Sequence, residues 1–161
     1  MSNSARLLLF QYLLPVVYAV LLYFIQILPK DGSLLTVILF LLGFYIGNAV
    51  MWIDGVFLYP YYNELRTEPK QLITRSVLFI LAYIPVALFV HTSSASVLGS
   101  GLVFAIGSTL ASEAYILKND PLSFQYHFLF QLKRTLSQAE VTQVVWAFIA
   151  FMGITSIVFL F

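Results

Sequence analysis

The sequence predicts an all-α membrane protein, a bundle of five transmembrane helices with one cytoplasmic interfacial amphipathic helix. Hydrophobic residues make up 61% of the 161 residues and charged residues only 9%, and the mean hydropathy is +0.94. These values lie outside the range of soluble globular domains. The apolar residues are gathered into runs of membrane-spanning length, and most basic residues lie on one side of those runs. We therefore expect the whole chain, residues 1–161, to form a single polytopic domain.

Composition also excludes several kinds of function. The net charge of +1 gives no reason to expect a nucleic-acid partner. The chain contains no cysteine, which excludes disulfides, thiolate metal ligands and cysteine nucleophiles. Phosphate-binding loops and dinucleotide fingerprints are missing from the sequence, and no histidine falls within a predicted span to ligate a haem. No cofactor is expected.

The first two predicted spans cover residues 7–28 and 34–59. At about 1.5 Å per residue in a helix, each is long enough to cross a bilayer. The first has a longer apolar core than the hydrophobic region of a signal peptide, so we expect a retained signal-anchor. The second ends at Tyr59, close to Tyr61 and Tyr62, as is typical where a span reaches the lipid headgroups.

The third predicted span covers residues 70–90, because Pro69 is a favourable residue at a helix start. Arg75 would then lie in the first turns of this helix and extend its side chain outward to the interface. The fourth span covers residues 97–117 and is rich in glycine and serine, and the fifth covers residues 141–161.

Between the last two spans, residues 121–137 are predicted to form the interfacial helix. Asp120 is a suitable N-cap for it, and Pro121 suits the first helical position. Apolar side chains recur every four residues and would enter the membrane surface, namely Phe124, Phe128, Leu132 and Leu136. Lys133 and Arg134 would be available to anionic headgroups. The alternative is a helix that binds a partner protein.

The distribution of basic residues predicts the orientation in the membrane. Of the 8 lysine and arginine residues, Lys30 alone lies on one side of the predicted spans. The other side carries Arg6, Arg66, Lys70, Arg75, Lys118, Lys133 and Arg134. By the positive-inside rule that side is cytoplasmic, so the N-terminus is expected inside and the C-terminus outside. A bacterial inner membrane is the expected location.

Two acidic residues, Asp54 and Glu113, lie inside the second and fourth spans. A carboxylate at the centre of a span costs about 2.5–3.5 kcal/mol on insertion scales, so it usually faces protein or water and marks a candidate site. Both are close to the cytoplasmic end of their span and should lie at similar depth. Mostly small residues precede each acid at helical spacing and favour close helix packing. These rows are Gly43, Gly47 and Val50 before Asp54, and Gly101, Ala105 and Thr109 before Glu113.

The candidate polar site therefore comprises the two acids and the polar residues expected near them. Its members are Asp54, Glu113, Asn48, Thr109 and Arg75. The structural alternative is that each acid is protonated, pairs with a basic residue or reaches water. His127 could join the two acids as a metal ligand, although the His-Glu-x-x-His spacing of zinc hydrolases is absent.

Three functional hypotheses follow from these observations. The first is a non-enzymatic membrane protein that binds lipid or a membrane partner through its cytoplasmic face. The alternative is a small transporter or ion-coupled carrier with Asp54 and Glu113 near its cytoplasmic mouth, which would also predict a homo-oligomer because five spans are few for a monomeric carrier. The third is an intramembrane metal-dependent hydrolase that uses the same two carboxylates.

Overall fold

The computed structural model describes residues 16–17, 20–21, 34–59, 71–94 and 96–160. All regular secondary structure in these ranges is helical. The predicted first span, residues 7–28, lies outside the described residues except for the four helical positions 16, 17, 20 and 21.

The described chain folds into five helices and two short non-α turns. In chain order these are α1 (Leu34–Ile53), a π-helical turn (Asp54–Leu58), a 3-10 turn (Ile73–Arg75), α2 (Val77–Thr92), α3 (Val97–Leu117), α4 (Pro121–Phe128) and α5 (Gln138–Leu160). Three segments are long and apolar enough to cross a membrane, namely Leu34–Leu58, Val97–Leu117 and Gln138–Val158. They correspond to three of the predicted spans, with bounds that differ by at most one residue for the first two and by three residues for the last.

The third predicted span differs from its expected form. The predicted helix over residues 70–90 is replaced by a 3-10 turn followed by α2, which has 16 residues. Ser76 has extended backbone angles and its hydroxyl accepts a hydrogen bond from the Phe79 amide, so it caps α2 and prevents an earlier start. At about 1.5 Å per residue α2 measures about 24 Å, which is shorter than the hydrocarbon core of a typical bilayer.

Helix α3 lies at the centre of the bundle and packs against α1 backbone to backbone. Gly43 faces the Leu98 carbonyl and Gly101 faces the Phe40 carbonyl, each so closely that a β-carbon would collide with backbone atoms. A β-carbon at Gly47 would lie 2.8 Å from that of Ala105. The glycine row of α1 is therefore a packing surface, as its spacing predicts.

The predicted row on α1 is wrong at Val50, which is exposed, and the buried position is Met51. The buried positions advance by three or four residues along a helix of 3.6 residues per turn, and from Gly47 the step is four.

On its other side, α3 packs against α2 and α5 through larger side chains. The Tyr83 hydroxyl lies 3.0 Å from the Val103 carbonyl oxygen and 3.0 Å from the Met152 sulfur. The Tyr83 hydroxyl and the Met152 thioether both lie against Gly107, where a β-carbon would collide with them. This layer of side chains, rather than backbone contact, joins the three helices.

The predicted interfacial helix over residues 121–137 is wrong in length and in what it buries. Asp120 caps α4 as predicted and accepts from the Ser123 amide at 3.1 Å, but the helix ends at Phe128. The Gln125 side chain then takes over the backbone bonding, because its amide donates to the Leu132 and Arg134 carbonyls and its oxygen accepts from the Leu136 amide.

The apolar face of α4 also packs on the protein instead of entering the membrane surface. Phe124 and Phe128 are each only 2% exposed and belong to the same core as α2, α3 and α5. Helix α4 is therefore a cap on one end of the bundle.

The start of α5 is defined by a capping box. Ser137 Oγ accepts a hydrogen bond from the Glu140 amide, and the Glu140 carboxylate accepts from the Ser137 amide at 2.9 Å. This reciprocal pair begins the helix three residues before the predicted position, 141.

All charged residues in the described ranges lie at one end of the bundle, where α1 and α3 end and where α2 and α5 begin. They are Asp54, Arg75, Glu113, Lys118, Asp120, Lys133, Arg134 and Glu140. We call this the charged end. The turn between α2 and α3 lies at the opposite end and carries hydroxyl side chains at 92–94 and 96.

Candidate functional site

Asp54 is the innermost residue of the site and opens the π-helical turn that ends α1. The Tyr59 amide bonds to the Asp54 carbonyl, five residues back, which defines the wider turn. The Asp54 side chain is 1% exposed. A carboxylate buried to this degree needs hydrogen-bond donors close by.

Thr74, in the 3-10 turn, supplies two of those donors. Its amide donates to Asp54 Oδ2 at 2.7 Å, and its hydroxyl donates to the same oxygen at 2.6 Å. Thr74 was not among the site residues predicted from the sequence. The available signal was a hydroxyl residue directly before the one arginine of this segment. These two bonds fix the chain before α2 to the end of α1.

Arg75 joins the same oxygen network to α3. Its Nε donates to Glu113 Oε2 at 3.0 Å and its Nη2 donates to Glu113 Oε1 at 2.7 Å, which is the two-pronged geometry that guanidinium and carboxylate favour. Its Nη1 donates to Thr74 Oγ1 at 2.6 Å and to the Met51 carbonyl at 3.3 Å. Thr74 Oγ1 therefore accepts from Arg75 while it donates to Asp54.

The prediction that Arg75 extends outward is wrong, since its side chain is only 8% exposed. The physical reason is the buried carboxylate of Glu113, which is stabilised by a cation with several fixed donors. Arg75 reaches this carboxylate from the 3-10 turn that precedes α2.

His127 on α4 completes the set. Its Nε2 lies 3.2 Å from Glu113 Oε2, and its side chain is 25% exposed. The sequence had suggested His127 only as a metal ligand. The hydrogen bonds thus run without a break through Asp54, Thr74, Arg75, Glu113 and His127, which we call the polar network. It joins α1, the 3-10 turn, α3 and α4.

Asn48 and Thr109 contact each other, as expected for members of one site. Their contact joins α1 to α3 and is separate from the polar network. Thr109 Oγ1 donates to Asn48 Oδ1 at 3.3 Å, and Asn48 Nδ2 donates to the Phe44 carbonyl at 3.2 Å. Residues four apart drift by about 40° per step around a helix of 3.6 residues per turn. Thr109 consequently faces α1, while Glu113 is turned toward Arg75 and His127.

The arrangement therefore connects Asp54 and Glu113 through Thr74 and Arg75. In the described ranges no group of three histidine or acidic side chains is placed to hold a metal ion. Both oxygens of Glu113 accept from Arg75. The metal set suggested by the sequence, Asp54, Glu113 and His127, is thus not assembled as a ligand group in these residues.

An apolar cavity adjoins the polar network under α4. Its volume is about 170 Å³, and it lies between the first turns of α2 and α5 and the last turns of α3. Val77, Ala114 and Phe128 line it and neighbour network residues in sequence. No hydrophilic side chain lines this cavity.

Comparisons of the chain with models of known protein families, with curated proteins and with solved structures gave no significant match.

Proposed function

We propose that this chain is a non-enzymatic, multi-pass membrane protein that binds anionic lipid headgroups at its charged end. The observation that supports this most directly is the polar network. It commits both acids of the apolar helices to partners within the protein, and it leaves basic side chains at the surface of the same end.

The polar network holds the helices together. Asp54 is bound by Thr74, and Glu113 is bound by Arg75 in fork geometry and by His127. The cavity beside it is apolar. Acid-base catalysis needs a carboxylate that can reach a substrate, and a transport site needs a polar path. Paired acids beside an apolar cavity favour a binding protein over both.

The surface of the charged end supports recognition of anionic lipid. Lys118 holds its ammonium group 3.6 Å from the centre of the Tyr115 ring and 5.3 Å from that of Trp146, an aromatic setting typical of the membrane interface. Lys133 is exposed in the segment that follows α4. Basic residues near an anionic leaflet contribute about 1 kcal/mol each to its attraction.

The topology belongs to the same proposal. In the proposed topology of five spans, with the N-terminus in the cytoplasm and the C-terminus outside, the charged end would lie at the cytoplasmic leaflet of a bacterial inner membrane, where anionic lipid is available. Homo-oligomers and membrane-protein partners are compatible with this arrangement, since they would use the sides of the bundle.

Thermal stabilisation by two lipids with different headgroups tests the proposal. The purified full-length chain in mild detergent is given phosphatidylglycerol or phosphatidylcholine of identical chains, and thermal stabilisation by each lipid is measured. We expect preferential stabilisation by phosphatidylglycerol, reduced in Lys118→Gln/Lys133→Gln and retained in the matched Lys118→Arg/Lys133→Arg control. Equal stabilisation of the unaltered protein by both lipids would overturn the proposal.

An ion-coupled carrier is the second candidate, because one observation favours it. The polar network is a hydrogen-bonded chain that leads from the interior at Asp54 to the partly exposed His127. Proton flux into vesicles containing the chain separates the two proposals. A binding protein should give the same flux as empty vesicles, whereas flux abolished by Asp54→Asn/Glu113→Gln would favour the carrier.

A further inference from the structure

We propose that the apolar cavity beneath α4 holds one acyl chain of a membrane lipid. This rests on the proposed function, because it supplies the tail site for a lipid whose headgroup is recognised at the charged end. The position, opening, size and rim of the cavity support it.

The cavity is closed toward the protein and open toward the side of the bundle. Leu110, Phe124 and Val145 form its inner wall and are each at most 2% exposed. Leu81 on α2 and Val144 on α5 also line it but are exposed at 60% and 45%. The opening therefore lies between α2 and α5, on a side of the bundle that faces lipid in the proposed topology.

Size and chemistry select a hydrocarbon chain. An apolar cavity of about 150 Å³ lined by leucine, isoleucine and phenylalanine stays dry and takes up benzene. The cavity here has about 170 Å³ and a lining of the same kind, so a short length of acyl chain fits it. No hydrophilic side chain of the described residues lines the cavity, so an occupant without hydrogen-bonding groups is favoured.

The rim of the cavity places basic residues where the headgroup would lie. Gln131 accepts a hydrogen bond from the amide of Val77 at 2.9 Å, and Val77 lines the cavity. The segment after α4 is thereby held at the cavity edge next to the start of α2. Lys133 follows two residues later and is exposed. A lipid with its chain in the cavity would bring its phosphate toward this lysine.

Native mass spectrometry of the full-length chain with phosphatidylglycerol tests the inference. Leu81→Trp should block the opening and remove one retained phospholipid per chain. Leu78→Trp is the matched control, since Leu78 is a leucine of α2 that is at least as exposed as Leu81 and does not line the cavity. It should retain the lipid.

A second pair of variants approaches the opening from α5. Val144→Trp should also lose one phospholipid, and Ile154→Trp, which is exposed on the same helix away from the cavity, should not. If both blocking variants fold and retain as much phospholipid as their controls, the cavity inference is overturned.

The outcome is separable from that of the headgroup proposal. Loss of a phospholipid on blocking, with no preference for phosphatidylglycerol over phosphatidylcholine, would support the chain site and overturn headgroup recognition. A preference removed in Lys133→Gln but unaffected by blocking would leave headgroup recognition and overturn the chain site. A retained detergent or peptide mass in place of phospholipid would also count against the chain site.

Discussion

The two sides of α3 are built on different principles. Toward α1, glycines on both helices bring backbone against backbone, and a single added methyl group would collide with a carbonyl oxygen. Toward α2, α4 and α5, α3 contributes larger side chains, an apolar cavity and Glu113 of the polar network. One side therefore tolerates no added volume, while the other has unused space and depends on a few charged contacts.

This difference separates close packing from free volume within one helix. Close-packed backbone has few alternative arrangements, whereas side chains around a cavity can move to admit a ligand. The contact between α1 and α3 is expected to be rigid. The opposite side of α3 has free volume in its cavity, which a ligand could fill.

The largest loss of stability is expected on the side of α3 that faces α2, α4 and α5, when Arg75 is removed. Arg75→Ala leaves the Glu113 carboxylate without its cation in a largely buried site, a change that typically costs about 3–5 kcal/mol in the free energy of unfolding. Denaturant unfolding in detergent measures the loss. Arg134→Ala is the control, because Arg134 pairs with Glu140 at the surface and its loss should have little effect.

The pair Arg75→Met/Glu113→Leu sharpens that result. Replacing both partners by apolar residues should restore much of the lost stability, since no charge stays buried. Equal losses for the single and double variants would show that the network acts through something other than charge pairing.

The next largest effect is expected on the α1 side. Gly101→Ala places a methyl group against the Phe40 carbonyl, and overpacking of this kind typically costs about 1–3 kcal/mol. Gly153→Ala in α5 is the control, because no atom lies within 4 Å of its added methyl group. That control should be neutral or more stable, since alanine favours a helix over glycine by up to about 1 kcal/mol. Similar melting temperatures for the two variants would contradict the close backbone contact between α1 and α3.

The same substitution on both sides of α3 tests the comparison directly. Ala105 faces α1 and is fully buried, whereas Ala114 lines the cavity. Ala105→Val should be destabilised by roughly 1–3 kcal/mol through overpacking. Ala114→Val adds its methyl groups to open space and should lose less. An equal loss at both positions, measured by thermal unfolding, would contradict the asymmetry.

The smallest expected effect concerns the cap over the cavity. Hydrogen bonds from the Ser123 hydroxyl and amide hold the pKa of Asp120 below its usual value. Because the folded pKa is depressed, the stabilisation of α4 is present above the unfolded pKa of about 3.9 and is lost as pH falls through the folded pKa. The hydrogen-exchange protection factors of residues 122–128, which are corrected for the intrinsic pH dependence of amide exchange, should therefore fall in acid. Asp120→Asn keeps a good cap without the titration, so its protection factors should change less with pH.

Hydropathy and length were sufficient to predict the long helices. The bounds 34–59 and 97–117 correspond closely to Leu34–Leu58 and Val97–Leu117 because uninterrupted apolar length determines both. The start of α2 and the end of α4 were not predicted, since they depend on single side chains, Ser76 and Gln125, that replace helical backbone bonds.

The candidate site could be predicted as a set of residues but not as a set of bonds. Asp54, Glu113 and Arg75 were identified because charges are rare and costly in apolar segments. Their partners depend on tertiary geometry. The drift of a four-residue row turned Glu113 away from α1, and Thr74 entered the network through a 3-10 turn that has no clear signal in the sequence.

Three consecutive residues before α2 together bind three different helices. Thr74 binds the end of α1 at Asp54, Arg75 binds Glu113 of α3, and Ser76 caps α2 itself. An insertion of one residue here would move at least two of these side chains out of register at once. Length changes during evolution should therefore be excluded from this tripeptide and be admitted more readily in the turn between α2 and α3. Among the described residues of that turn, the hydroxyls of Thr92 and Ser94 bond to carbonyls of their own helix and to neighbouring turn residues.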